Sequence, residues 1–365
     1  MTLSVKSSNN RGKEEGFAAG YDAGWRVGAC EAVRQTNGNP KPVITPLRIL
    51  YVPQGFEAID SGIIDSLRAC VVELHIANPQ ELVQQAISLR PDLVLVLNGL
   101  HTFPEDHLQQ LDAIRMEGIR TAVWYVDDPY MTEASAKNAT HYDIVITHEL
   151  STVALYKELG CQIVHYCPLA VNEKIFRPMQ TAPEYRSDIC FIGQGFWNRI
   201  AMFDAIADTL IGKRVVIIGQ LWERLQQYSH LKPFINMDWI DSEECVKYYN
   251  AAKIVINMHR TTEAGSDNFN SYQYPGYSIN PRTFEIAACA SFQLTDVRQD
   301  LKQYYQPGYD LETYRDANEL SAKLTYYLSH EEERRYVALR GYYRTMRDHK
   351  FTARMTQLLQ MLIEE

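Results

Sequence analysis

Leu93-Val-Leu-Val-Leu97 is the stretch that decides the fold. Every position in it is apolar, so a strand built from it needs cover on both faces, as in a parallel sheet held between two layers of helix. Working outward, similar runs stand at 47–53, 71–75, 121–126, 143–147 and 162–166, with helical patterns such as 79–89 and 104–118 between them. That alternation is the mark of a doubly wound α/β unit. The periodicity lapses around Phe176-Arg-Pro-Met-Gln-Thr-Ala-Pro-Glu184, after which strands are expected again at 189–192, 214–218, 234–237, 254–258 and 292–295. A short internal echo opens the two units, Ile49-Leu-Tyr-Val-Pro-Gln-Gly-Phe56 and Ile189-Cys-Phe-Ile-Gly-Gln-Gly-Phe196. The expected fold class is therefore α/β, with two Rossmann-like doubly wound domains, 47–175 and 185–345, facing a central cleft.

The flanks read differently. Residues 1–46 suggest a mobile tail, to about residue 12, and then an extra N-terminal helix over 13–34. That helix carries Gly16, Gly20, Gly24 and Gly28 on one face. Glycine costs about 1 kcal/mol per helical position relative to alanine, so the stripe implies close packing of another backbone, on the body or on a partner. A frayed helix is the plain alternative. Asn37-Gly-Asn-Pro-Lys-Pro42 ends it, and at the other end of the chain residues 346–365 form an amphipathic helix suited to packing on a neighbouring surface.

The chain has 365 residues, 46% apolar and 22% charged, which suits two globular domains with cores of their own. Its 36 Lys and Arg against 45 Asp and Glu give a formal charge of −9, the wrong sign for a nucleic-acid binder. Seven scattered cysteines without a Cys-x-x-Cys pair suit a reducing, cytoplasmic setting. The sequence holds no run of about 18 apolar residues, so no transmembrane segment is expected, and the N-terminus is polar where a secretory signal would be apolar.

In open parallel sheets ligands bind beyond the carboxyl ends of the strands. In the second unit these positions hold Gly193-Gln-Gly195 with Arg199 beyond it, Gly219, and His259-Arg260. Asn280-Pro-Arg-Thr-Phe-Glu285 reads as a helix start, with Asn280 as N-cap and Pro281 in the first turn. Its free N–H groups and dipole would attract a phosphate, Arg282 adds a full charge, and Glu285 on the same face would accept from ribose hydroxyls. The alternative for Arg282 and Glu285 is a simple i, i+3 ion pair. Gly193-x-Gly195 lacks the third glycine of a dinucleotide fingerprint, since Asn198 stands there. In the first unit, Asp127-Asp128-Pro129 follows a strand and offers a base at the cleft, or else only a turn and a cap. His259 is a third catalytic candidate, with a structural role as its alternative. Asn98-Gly99 and Thr147-His148-Glu149 also close strands of that unit and are placed near the cleft. Phosphate-loop, His-Glu-x-x-His and Gly-x-Ser-x-Gly motifs are absent, and Cys161, His165 and Cys167 are explained by strand alternation, so no metal site is expected.

Phe191-Ile-Gly193 with Arg199, Ile256-Asn-Met-His259, Asn280-x-Arg282-x-Phe284-Glu285-x-Ala-Ala-Cys289, Phe292-Gln-Leu-Thr-Asp296 and Glu331-Glu-Glu-Arg334, together with Trp124-Tyr-Val-Asp-Asp-Pro129, resemble the CgeB-like, spore-maturation-type glycosyltransferases of the GT-B class. The resemblance implies a first domain for the acceptor, a second for a nucleotide-sugar donor, expected to be a UDP-sugar, and a last helix returning to the first domain. It matches Glu285 to the glutamate that holds the donor ribose and Arg282 to a diphosphate contact. It implies sugar transfer without a required cofactor, in a cytoplasmic or spore-associated protein that acts on an unknown acceptor and is compatible with a homodimer. Two departures stand out: Ala290-Ser291 replaces the family's glycine turn, and Tyr277 occupies the place of the first glutamate in related retaining enzymes. The rival readings are a non-catalytic spore-coat or interaction protein that keeps the fold, and a sugar-nucleotide epimerase.

Overall fold

A computed structural model describes residues 2–38, 42–265 and 267–364. Of the helix-breaking segment 37–42, residues 39–41 lie outside the described residues.

The first lobe is a parallel sheet of β1 (Thr45–Val52), β2 (Val71–Ile76), β3 (Leu93–Leu97), β4 (Arg120–Tyr125), β5 (Ile144–Thr147) and β6 (Ile163–Tyr166), in the order β2-β1-β3-β4-β5-β6. All five residues of β3 are buried, and the two faces of the sheet feed separate apolar cores. The second lobe holds β7 (Ser187–Ile192), β8 (Val215–Ile218), β9 (Ile235–Asn236), β10 (Ala252–Asn257), β11 (Gln293–Asp296) and β12 (Glu312–Tyr314), ordered β12-β11-β10-β7-β8-β9. The strand that opens each lobe lies inside its sheet, so the order reverses beside it, between β1 and β3 and between β7 and β10. Those reversals are where a doubly wound sheet leaves a crevice. The sequence reading places eleven of the twelve strands among the described residues and omits β12, whose three residues pair with β11 and are too short to show a period.

The N-terminal helix departs from expectation in two ways. It runs from Thr2 to Asn37 as one element, where the sequence suggested a tail to about residue 12; no proline or glycine interrupts residues 2–11. Among the described residues nothing packs on the glycine stripe: a Cβ added at Gly16, Gly20, Gly24 or Gly28 meets no atom within 4 Å. The helix is anchored by other residues near its end. The Arg26 guanidinium donates to the Asn250 side chain and to the Asn250 and Cys289 carbonyls, Cys30 is buried, and Trp25 sets its ring edge-on to Tyr336.

The last helix, Phe351–Ile363, lays Phe351, Met355, Leu358, Leu359 and Leu362 into the core of the first lobe. Gly62 makes this approach possible, since a Cβ there would collide with the Phe351 ring. Where the chain re-enters the first lobe, Val171 N–H donates to His349 O (3.0 Å) and Phe351 N–H to Val171 O (3.1 Å).

Candidate functional site

The second-lobe half of the site forms where β7, β8 and β10 end. Gly193 (φ 159°) and Gly219 (φ 141°) follow β7 and β8, and a Cβ on Gly219 would collide with the Gly193 carbonyl. Two bare backbone turns therefore meet beside the crevice, an arrangement that lets a ligand approach main-chain atoms closely. Asn280 caps the helix Pro281–Ala288 as expected, accepting from Thr283 N–H at 3.0 Å. Cap and strand end are locked together by reciprocal amide bonds between Asn257 and Asn280 (3.1 and 2.9 Å).

Arg199 is buried, its guanidinium lying near the rings of Phe191 and Phe196. Nε and Nη2 donate to Met258 O (3.1 and 2.7 Å), and Nη1 donates to Gln194 O (2.9 Å). Burial first, and then the nearby Arg282 charge, push its pKa down to about 9. The Arg282 charge is thus felt at Arg199, while at Arg282 itself burial is outweighed by Tyr249 and Glu285, which raise its pKa. Arg282 leans toward Tyr249 and Glu285, and burial pushes the Glu285 carboxyl up to about 7, with Arg282 opposing that rise. The turn after this helix keeps its shape without glycine: Ala290 adopts a φ of 51°.

His259 has both ring nitrogens committed. Nδ1 donates to Asp296 Oδ1 (2.6 Å) and Nε2 accepts from Asn280 N–H (2.8 Å), in a side chain only 2% exposed. Burial pushes its pKa down to about 4, so it stays neutral and has no proton position to offer a substrate. The catalytic candidacy of His259 is corrected on that ground; it orients the helix start instead. Burial would raise the Asp296 carboxyl, but His259 and Arg298 (Nη2 to Oδ2, 2.6 Å) outweigh it and hold the group well below the usual range.

The two aspartates of the first lobe have opposite surroundings. Asp128 is 1% exposed and accepts from Ser135, Thr147, Thr152 and Tyr156 hydroxyls at 2.7 to 3.2 Å. It holds the turn together and does not face the cleft, which removes it as a base. Asp127 remains partly accessible, its Oδ2 accepting from Asn98 Nδ2 (2.7 Å) and lying 3.1 Å from His101 Nε2. His101 is 46% exposed, and the hydrogen bond to Asp127 raises its pKa above the ordinary value. The sequence reading missed His101. Its only signal was a position three residues after Asn98, at the mouth of the β3 loop.

Arg260 bridges the lobes, its guanidinium lying over the rings of Tyr130 (5.1 Å) and Phe196 (4.6 Å). Residues 261–280 then reach across to the first lobe. Glu149 accepts from Tyr277 and Ser278 N–H groups (3.0 and 3.1 Å), Thr132 Oγ1 donates to Asn270 Oδ1 (2.9 Å), and Ser151 Oγ donates to Pro275 O (2.6 Å).

With this geometry in place, comparison identifies the kin. The chain is 31% identical over 309 residues to spore protein CgeB of Bacillus subtilis (strain 168), covering 82% of this chain and 94% of that protein. It belongs to the CgeB family. A family model described as glycosyl transferase-like matches residues 199–360, which in this CgeB-family chain takes in the second lobe from Arg199 onward. Solved structures place the fold in the GT-B class. Anabaena Alr3699/HepE, determined with UDP and glucose, superposes with a TM-score of 0.58 at 10% identity, over 87% of this chain and all of that one. Sucrose-phosphate synthase of Thermosynechococcus elongatus superposes at 0.55 and 14% identity, over 81% and 84% of the two chains. Among the described residues no helix is long and apolar enough to cross a membrane.

Proposed function

We propose that this chain transfers a sugar from a nucleoside-diphosphate donor, a UDP-sugar, to an acceptor held on the first lobe. The observation that carries this reading is the capped start of the helix Pro281–Ala288, locked to the end of β10, in the lobe whose Gly193 and Gly219 turns bring bare backbone together at the crevice between β7 and β10. A diphosphate there meets Arg282 and the positive end of the helix. Glu285, one turn into the helix, takes the ribose hydroxyls. As the sugar leaves, charge grows on the β-phosphate, where Arg282 and the helix start beside it are already in place to stabilise it. Arg199, tied to carbonyls, adds charge and keeps the Gly193 loop and the β10 end in register.

His101 takes the acceptor proton. Asp127 holds its Nε2 side, leaving Nδ1 to meet a hydroxyl, and Asn98 fixes Asp127 in turn. Arg260 and Gly193 shape the floor between donor and acceptor. The HepE complexes with UDP and with UDP-glucose support the donor class by fold likeness.

Calorimetric titration of UDP tests this directly. Binding is expected to weaken by about 1–3 kcal/mol in Arg282→Ala, the usual range for a charged hydrogen bond. Release of UDP from a UDP-sugar should disappear in Glu285→Ala. Absence of UDP binding by the wild type would leave the interaction-protein reading, and a changed sugar without UDP release would point to epimerisation.

A further inference from the structure

Among the described residues, β2 forms one edge of the first sheet and pairs only with β1. Its six residues, Val71-Val-Glu-Leu-His-Ile76, include no lysine or proline, the residues that commonly blunt a free edge. Just beyond the strand, Ala77 N–H donates to Tyr51 O on β1 at 2.8 Å. By the period of two, the N–H and C=O groups of Val72, Leu74 and Ile76 therefore point the other way, out of the sheet edge. Their side chains share the face whose core holds Ile49 and Tyr51, since Ile49 pairs with Leu74 and Tyr51 with Ile76. Val72 is nevertheless 59% exposed and Ile76 40%. On the opposite face the Glu73 carboxylate lies 2.6 Å from His75 Nε2 and 3.8 Å from Arg48 Nε.

Such an edge leaves both main-chain groups and apolar side chains to water, so a strand that matches the two together would be held there. The strand that matches is β2 itself. Laid antiparallel to a second copy about a twofold axis through Leu74, Val72 faces Ile76 of that copy, Leu74 faces its own equivalent, and Glu73 faces His75. Each outward residue then meets another outward residue, as a hydrogen-bonded pair requires. Glu73 and His75 fall at the non-hydrogen-bonded positions, where side chains come closest. The neighbouring registers fail on charge. Centring the axis on Glu73 opposes two carboxylates, and centring it on His75 leaves both carboxylates without an imidazole opposite. An axis between two residues sets outward groups against inward ones.

We infer that β2 is a self-association edge, through which two copies of this chain join their first sheets in an isologous, antiparallel dimer. The paired strands run oppositely, so the crevices beside β1 open at opposite ends of the joined sheet and neither blocks the other. A six-residue edge is small for a specific interface, which makes the dimer concentration-dependent.

Sedimentation velocity on the full chain, over a range of about 1 to 200 μM, tests it. The wild type should pass from monomer to dimer within that range. Each substitution acts twice across the axis, so Val72→Lys should raise the dissociation constant about tenfold or more, and His75→Glu, which opposes two carboxylates, should do the same. Adding Glu73→Lys to His75→Glu restores opposite charges across the pair and should return the constant to within about threefold of wild type. Both Val72 and His75 are at the surface, so melting temperatures should stay near wild type. Cysteines read the register separately. With oxidised glutathione, Leu74→Cys should form a disulfide between copies, because its two Cα atoms would stand about 5.5 Å apart, whereas Val72→Cys, set opposite Ile76, should not. The proposal is overturned if the wild type stays monomeric throughout, which leaves the edge to a strand of another protein, if Val72→Lys dimerises as the wild type does, or if Val72→Cys links as readily as Leu74→Cys.

Discussion

Asp127 and Asp128 are neighbours in sequence, yet one meets solvent and the other four hydroxyl donors. Removing the Asp128 carboxylate strands those buried hydroxyls, some of which re-pair with each other and with Glu149 O. Asp128→Ala is therefore expected to cost about 2–4 kcal/mol in urea unfolding; a loss below half a kcal/mol would show that the turn does not depend on it. Asp127 acts instead on His101. A base must be neutral, and because Asp127 raises the His101 pKa, activity should fall as pH drops through a midpoint above the ordinary histidine value. Asp127→Asn cannot stabilise the imidazolium, so this acid limb should move to lower pH while kcat drops. An unmoved limb in the pH profile of kcat/KM would take His101 out of the reaction. The sequence showed that carboxylates stood at this strand end. It could not show which was buried, because the deciding donors, Ser135, Thr147, Thr152 and Tyr156, are 7 to 28 residues away and belong to other elements.

At the scale of elements, continuous apolar runs were the readable signal, because burial on both faces leaves a strand no polar position. Short pieces such as β12 carry too few residues to show it. The N-terminal helix was legible as a helix but not in its contacts: glycine spacing permits close packing without supplying a surface to pack on. Here Arg26 and Cys30 on another face make the attachment, and the glycines face open space. Gly20→Ala and Gly24→Ala should accordingly raise helix content by circular dichroism, each stabilising the helix by up to about 1 kcal/mol in propensity. A loss of helicity or of assembly in either variant would instead mean that the stripe packs on a partner in solution.

At the scale of the whole molecule, the two lobes are joined in part through Thr132, Glu149 and Ser151, which touch no substrate in the reading above. The segment 261–280 leaves the second lobe, bonds to the first, and returns directly into Asn280 and the helix that carries Arg282 and Glu285. Glu149 is its main fastening, 2% exposed and accepting from the backbone of Ser151, Tyr277 and Ser278. Its carboxylate lies across the lobe boundary from the donor groups, so any effect it has on the donor must travel through the strap. Glu149→Ala leaves those N–H groups without acceptors and frees the strap, at a cost of about 2–4 kcal/mol in unfolding. Because the strap sets where the helix begins, UDP affinity by calorimetry should also fall, by about tenfold, with Glu149→Gln in between since one acceptor oxygen survives. Lost stability with unchanged UDP affinity would mean that the lobes merely abut and that the second lobe holds its helix start unaided. Loss of both would make closure of the cleft and placement of the phosphate site one mechanical event, with Glu149 as the residue that couples them.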